Sequence, residues 1–249
     1  MALARLIGLL APRLCASCGA VAGDAEPLCG RCRHALAWLG PAAVELAGVR
    51  VWAPVSYAGP ARDLVRALKF GGAWRAAETM AAQIAANAPP ELLGDRAGRS
   101  NARYTGLGST SSPAEGRPEL LPGPAHAARA EGPAALVPVP LHPRRRRRRG
   151  YDQAALLARA LAERTGLPVR ACLDRSGAAG AQVGRGRAER LGGPPGEIRL
   201  RPGAEAPRAA LLVDDVVTTG GTLASCAAAL RAAGTADLAA LAYARTPGR

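Results

Sequence analysis

Ala210-Leu-Leu-Val-Asp-Asp-Val-Val-Thr-Thr-Gly-Gly-Thr222 decides the fold of this chain. Four apolar residues, Ala210 to Val213, read as a strand buried on both faces, the habit of a parallel sheet. Asp214 and Asp215 then fall at its carboxyl end, where open α/β sheets bind ligands. Two adjacent carboxylates there can accept hydrogen bonds from vicinal hydroxyls, as on a ribose. The turn Thr218-Thr-Gly-Gly-Thr222 joins three hydroxyl donors to glycines that let the backbone come close to a ligand. It opens a helix expected to run to Ala233, whose first N–H groups make an anion site. Together these parts suit a phosphorylated ribose.

All thirteen positions resemble the phosphoribosyl-pyrophosphate (PRPP) signature of type I phosphoribosyltransferases. The resemblance implies that Asp214 and Asp215 are the catalytic acids, holding the ribose hydroxyls. It implies PRPP binding by Val216, Val217, Thr218, Thr219, Gly220, Gly221 and Thr222.

Outward from this stretch, strands and helices alternate. Val51–Tyr57 reads as a strand, and Pro54 argues for an edge position. Pro60 opens a helix with Leu64, Val65 and Leu68 on one face, and a second helix is expected near Trp74–Ala88. Residues 89–133 are rich in Gly, Pro, Ser, Ala and Arg without periodicity, and read as a disordered insertion or long surface loop. Leu136–Pro140 is apolar, but its two prolines conflict with a central strand. A helix is expected over Asp152–Arg164, ended by Gly166 and Pro168. Val169–Leu173 is a short strand candidate, Arg175–Leu191 a mobile loop, and Leu238–Ala244 a last strand. The repeated order predicts a parallel α/β sheet with flanking helices and right-handed crossovers.

The chain has 249 residues, enough for a substantial core in one or two domains. Its net charge of +14 comes almost wholly from arginine and favours anionic partners. No apolar run reaches the roughly 20 residues of a membrane-spanning helix. Met1 to Leu14 is apolar but broken by Arg5 and Arg13, and is expected to be a short amphipathic helix rather than a signal peptide. A cytoplasmic location is expected.

Cys15-x2-Cys18 and Cys29-x2-Cys32 form a paired knuckle with a ten-residue loop between them. Four such thiolates suit a closed, tetrahedral, structural Zn²⁺ site, and are preferred to disulfides in a reducing compartment. His34 is a further candidate ligand but reads as a surface residue. Cys172 and Cys226 read as core. The cysteine unit is assigned to residues 1–48 and the α/β domain to 49–249.

Arg144 to Arg149 is a run of six, read as a loop between a strand and a helix at the same sheet edge as the acid pair. A pyrophosphate or a nucleic acid would each need such cations. Here a wider resemblance appears. Leu136-Val-Pro-Val-Pro-Leu-His-Pro143, the arginines and Arg149-Gly-Tyr-Asp-Gln153 resemble the ComF family, related to competence protein F. Tyr57-Ala-Gly-Pro60 and Leu68-Lys-Phe-Gly71 are similar to another block of it. Lys69 and Phe70 are the only lysine and the only phenylalanine in the chain. That family joins a cysteine knuckle to a type I phosphoribosyltransferase domain. The resemblance implies PRPP with Mg²⁺ as ligand and a pyrophosphate loop of Leu141, His142, Arg148, Arg149 and Gly150. It implies Lys69 as a ligand contact and a closing lid near Arg175–Arg190. The chain departs from the family at Asp152, where Asn is usual, and at Gly193-Pro194, which follows the Gln182 and Arg187-Ala-Glu-Arg190 block.

These readings predict pentosyl transfer from PRPP to an acceptor the sequence does not identify, linked to DNA uptake. The alternatives are a competence accessory protein that grips single-stranded DNA, and a regulator that senses PRPP without turnover. Aromatic residues make up 3% of the chain, poor provision for base stacking.

Overall fold

The computed structural model describes residues 14–23, 26–70, 73–93, 134–176 and 197–246. In chain order its elements are α1 (Gly30–His34), β1 (Val44–Leu46), β2 (Val49–Trp52), β3 (Val55–Ser56), α2 (Gly59–Phe70), α3 (Ala73–Asn87) and α4 (Pro90–Leu93). Then follow β4 (Ala135–Pro138), α5 (Pro143–Arg149), α6 (Gln153–Thr165), β5 (Leu173–Arg175), β6 (Ile198–Leu200), β7 (Ala209–Val217), α7 (Gly221–Ala232) and β8 (Asp237–Arg245).

The main sheet runs β1-β2-β8-β7-β4, with β3 also on β8. Every pairing in it is parallel except the β1–β2 hairpin. The fold is therefore mixed α/β with a mostly parallel central sheet and flanking helices. β7, the stretch that decided the fold, lies between β8 and β4 and is buried through Val213. Successive side chains go to opposite faces. Leu211 and Val213 pack with α2, α3 and α6, while Ala210 and Leu212 pack with Leu223, Cys226 and Leu230 of α7. Each fully buried leucine contributes roughly 1.5–3 kcal/mol relative to exposure.

Several expectations change in detail. Residues 51–57 form two strands, because Pro54 has no N–H to donate, and β2 is interior, between β1 and β8. β4 is the edge strand instead, which explains its prolines. The Val139 N–H reaches Val213 across the ladder, so Pro138 and Pro140 turn their nitrogens to the outer side. The arginine run is a helix, α5, and not a loop. His142 caps it, Pro143 opens it and Gly150 closes it at φ 78°. The β7 ladder continues past Val213 to Val217, so both acids lie within the strand, near its carboxyl end, with Asp214 opposite Ala242. Leu173–Arg175 forms an antiparallel pair with β6, and Val169 makes only a single bridge, to Leu136. Residues 90–93 are helical with Leu92 and Leu93 buried, so the expected insertion does not begin at 89. Its remainder, 94–133, lies outside the described residues, as do the leading helix at 1–13 and the lid segment 177–196. No described helix is long and apolar enough to cross a membrane.

Candidate functional site

A cleft of about 300 Å³ opens at the carboxyl end of the parallel strands. Asp214, Asp215, Val216, Thr218 and Thr222 line one side, from β7 and the turn into α7. Leu141, Arg145, Arg149, Asp152 and Gln153 line another, from α5, α6 and the residues just before them, and Tyr57, Lys69 and Arg175 also contribute. A smaller recess of about 50 Å³ adjoins it, walled by Val216–Leu223 and Asp214.

The acid pair is organised by short contacts. The Asp215 N–H donates to Asp214 Oδ1 at 2.8 Å. Lys69 Nζ, at the end of α2, lies 3.1 Å from Asp215 Oδ2. That contact is electrostatic rather than an aligned hydrogen bond, for Oδ2 has no hydrogen-bond partner among the described residues. Asp214 opens in part to the cleft but is surrounded by protein elsewhere. This desolvation, and then the Asp215 charge, hold its carboxyl well above the usual carboxylate range. The Asp215 N–H and Lys69 act in the opposite sense.

The turn into α7 leaves the first helical N–H groups beside the small recess. Gly220 is the N-cap at φ 79°, and the helical bonds begin with the Ala224 N–H on the Gly220 carbonyl. Thr218 and Thr219 are exposed, and Thr222 is half-buried. The close approach at Gly220 is internal: a Cβ there would sit 3.0 Å from Leu46 Cβ and 3.3 Å from its backbone. Glycine at this position thus suits the close approach of the β1–β2 hairpin as well as the turn.

Of the expected pyrophosphate loop, Leu141 and Arg149 line the cleft, while His142, Arg148 and Gly150 do not. Burial, then the charges of Arg175 and Arg144, hold His142 below its ordinary pKa. Its Nδ1 accepts from the Arg144 N–H at 3.2 Å. Arg149 Nη1 donates to Gln153 Oε1 at 2.9 Å, and its guanidinium lies 5.3 Å over the Phe70 ring. Tyr151 Oη donates to the Leu68 carbonyl at 2.7 Å, so the end of α2 is fastened to the α5–α6 junction. Asp152 caps α6 through the Ala155 N–H and also accepts from the Leu141 N–H at 3.3 Å. An acid at that position therefore has a local structural role. Sequence reasoning did not single out Arg145 or Gln153 as site residues, and it left Arg175 at the start of a mobile segment.

The four knuckle cysteines converge. The sulfurs of Cys15, Cys18, Cys29 and Cys32 all lie within 4.8 Å of one another, and Cys18 and Cys29 are 3.6 Å apart. Tetrahedral Zn–S bonds place sulfurs about 3.8 Å apart, so the donor set can hold a structural zinc. Burial alone would raise the Cys15 thiol. The backbone N–H groups of Cys18 and Cys29 outweigh it and bring Cys15 down to about 6. Burial and the other sulfurs push Cys32 up to about 12. His34 is exposed and outside the cluster.

No protein-family model matches the chain. No curated protein matches it either. Among solved structures it is similar to one described as the structure of the allosteric regulatory enzyme of purine biosynthesis, at 22% identity and a TM-score of 0.29. The match covers 44% of this chain and 22% of that one, so the chain spans about a fifth of that enzyme's length. A likeness of that extent adds nothing to the geometry above.

Proposed function

We propose that this chain binds PRPP with Mg²⁺ and transfers its phosphoribosyl group to an acceptor, as the ComF-like motifs imply. One observation carries the reading: the acid pair, the Thr/Gly turn and the cations Lys69, Arg145, Arg149 and Arg175 all border one cleft or its adjoining recess. Asp214 and Asp215 hold the ribose hydroxyls. Residues 216–222 take the 5′-phosphate, whose charge the N-terminus of α7 favours. The cations on the α5 side take the pyrophosphate. Magnesium, carried on the pyrophosphate, would help neutralise the leaving group. Chemistry of this kind asks the protein for positioning and charge stabilisation more than for covalent participation.

The expected result is calorimetric binding of Mg-PRPP by the full chain, lost in the double variant Asp214→Asn, Asp215→Asn with folding retained. Unchanged affinity in that variant refutes the reading. A second reading, a polyanion such as single-stranded DNA, has its own support: Arg144, Arg146, Arg147 and Arg148 are exposed and stand outside the cleft. A response to a single-stranded oligonucleotide with none to Mg-PRPP would move the assignment there.

A further inference from the structure

Four buried polar atoms of the cleft residues lack a hydrogen-bond partner among the described residues: Arg149 Nε, Gln153 Nε2, Arg175 Nε and Asp215 Oδ2. The Lys69 charge answers the last of these. The other three are all donors. A buried donor without an acceptor is costly, and more so where it is charged. All three belong to residues that line the cleft.

Their positions are fixed independently. Gln153 is only 3% exposed, and its Oε1 is already engaged by Arg149, which leaves Nε2 as the free end of the amide. Arg149 is held from its other side by the Phe70 ring. Arg175 enters from β5, where pairing to Ile198 sets its backbone. Its side chain lines the same cleft as Arg145 and Arg149 of α5 and the acid pair. Guanidinium groups match multi-oxygen anions in shape as well as in charge.

We propose that Gln153 and Arg175, together with Arg149, form the receptor for a pyrophosphate-type anion, and that Arg175 rather than the exposed arginines of α5 sets its affinity. The receptor stands on its own geometry. Only its role as leaving-group site rests on the PRPP reading.

The test titrates the full chain with Mg-pyrophosphate and, separately, with ribose 5-phosphate. Arg175→Met is expected to weaken pyrophosphate about tenfold or more, the scale of one lost charge-assisted hydrogen bond, while ribose 5-phosphate changes less than about twofold. Gln153→Leu is expected to weaken pyrophosphate severalfold. Arg147→Met removes the same charge from an exposed position and is expected to cost under about twofold at physiological salt. Equal losses in Arg147→Met and Arg175→Met would reduce the effect to bulk charge and overturn the proposal, as would a wild-type chain indifferent to pyrophosphate. Should Arg175→Met not fold, Arg175→Lys keeps the charge without the fork and is expected to lose part of the affinity; full affinity there refutes the fork. A chain that binds pyrophosphate through Arg175 but ignores ribose 5-phosphate keeps this receptor and loses the pentosyl reading.

Discussion

At the scale of single residues, the acid pair sets function against stability. Asp214 has its carboxyl held well above the carboxylate range by burial and by Asp215. A carboxyl raised in the folded state binds its proton more tightly there than in the unfolded chain. Ionising it therefore lowers stability as pH rises through the unfolded value and on to the folded one. Below both values the penalty vanishes. Asp214→Asn is thus expected to stabilise the fold near pH 7 by on the order of 1 kcal/mol, roughly 2–4 °C in Tm, with the gain shrinking toward pH 3. Thermal melts of wild type and variant across that range check it; a gain independent of pH refutes the electrostatic cause. Lys69, the only lysine, could be singled out from composition and motif, and it does meet Asp215. Arg175 could not. It is one arginine in an arginine-rich segment, and what distinguishes it is a strand pairing twenty-three positions away with residue 198.

Among the elements, the β1–β2 hairpin leans on the turn that opens α7, with Leu46 against Gly220 and the Arg231 side chain bonded to the Gly48 carbonyl at 3.3 Å. Two penalties meet at Gly220: a left-handed φ of 79° and a Leu46 that must give by a few tenths of an ångström to admit a Cβ. Gly166, the C-cap of α6, has φ 71° and open space around it. Gly220→Ala is therefore expected to cost about 2 kcal/mol or more in denaturant unfolding, and Gly166→Ala only about 1. Equal costs would show that the hairpin yields. Most elements were legible because their signals are local. Gly166 and Pro168 end α6, and the apolar run of β7 announces a doubly buried strand. The α5 helix was obscured by six like charges, although its own punctuation, Pro143 and Gly150, was present. The split at Pro54 was legible as a fault but not as an interior one, since strand order is set by pairings distant in sequence.

Across the whole molecule, the cysteine knuckle is built into the larger core. Cys15 and Cys32 are buried with Leu28 and Leu36 in the same cluster as α2 and α3, and Ser17 donates to Asp63 of α2 at 2.8 Å. The bridge from Trp38 to Val55 and the Trp52 Nε1 bond to the Gly40 carbonyl extend that seam to the sheet. Four converging thiols without a cation would place several acidic groups in a space under 5 Å across, so a bound metal is expected to be what makes the seam stable. None of the four sulfurs lines the cleft. Metal and ligand site should therefore separate: about one zinc per chain on purification, and a Tm lowered by about 5 °C or more after chelation under reducing conditions. Affinity for Mg-PRPP, measured on the stripped chain below its melting range, is expected to stay within about twofold. Helix α2 joins the two regions directly, from Asp63 at the knuckle to Lys69 at the acid pair, about one and two-thirds turns along the same helix. A tenfold loss of affinity on chelation would mean that this helix transmits the metal's state to Asp215, and that the knuckle belongs to the ligand site as well as to the fold.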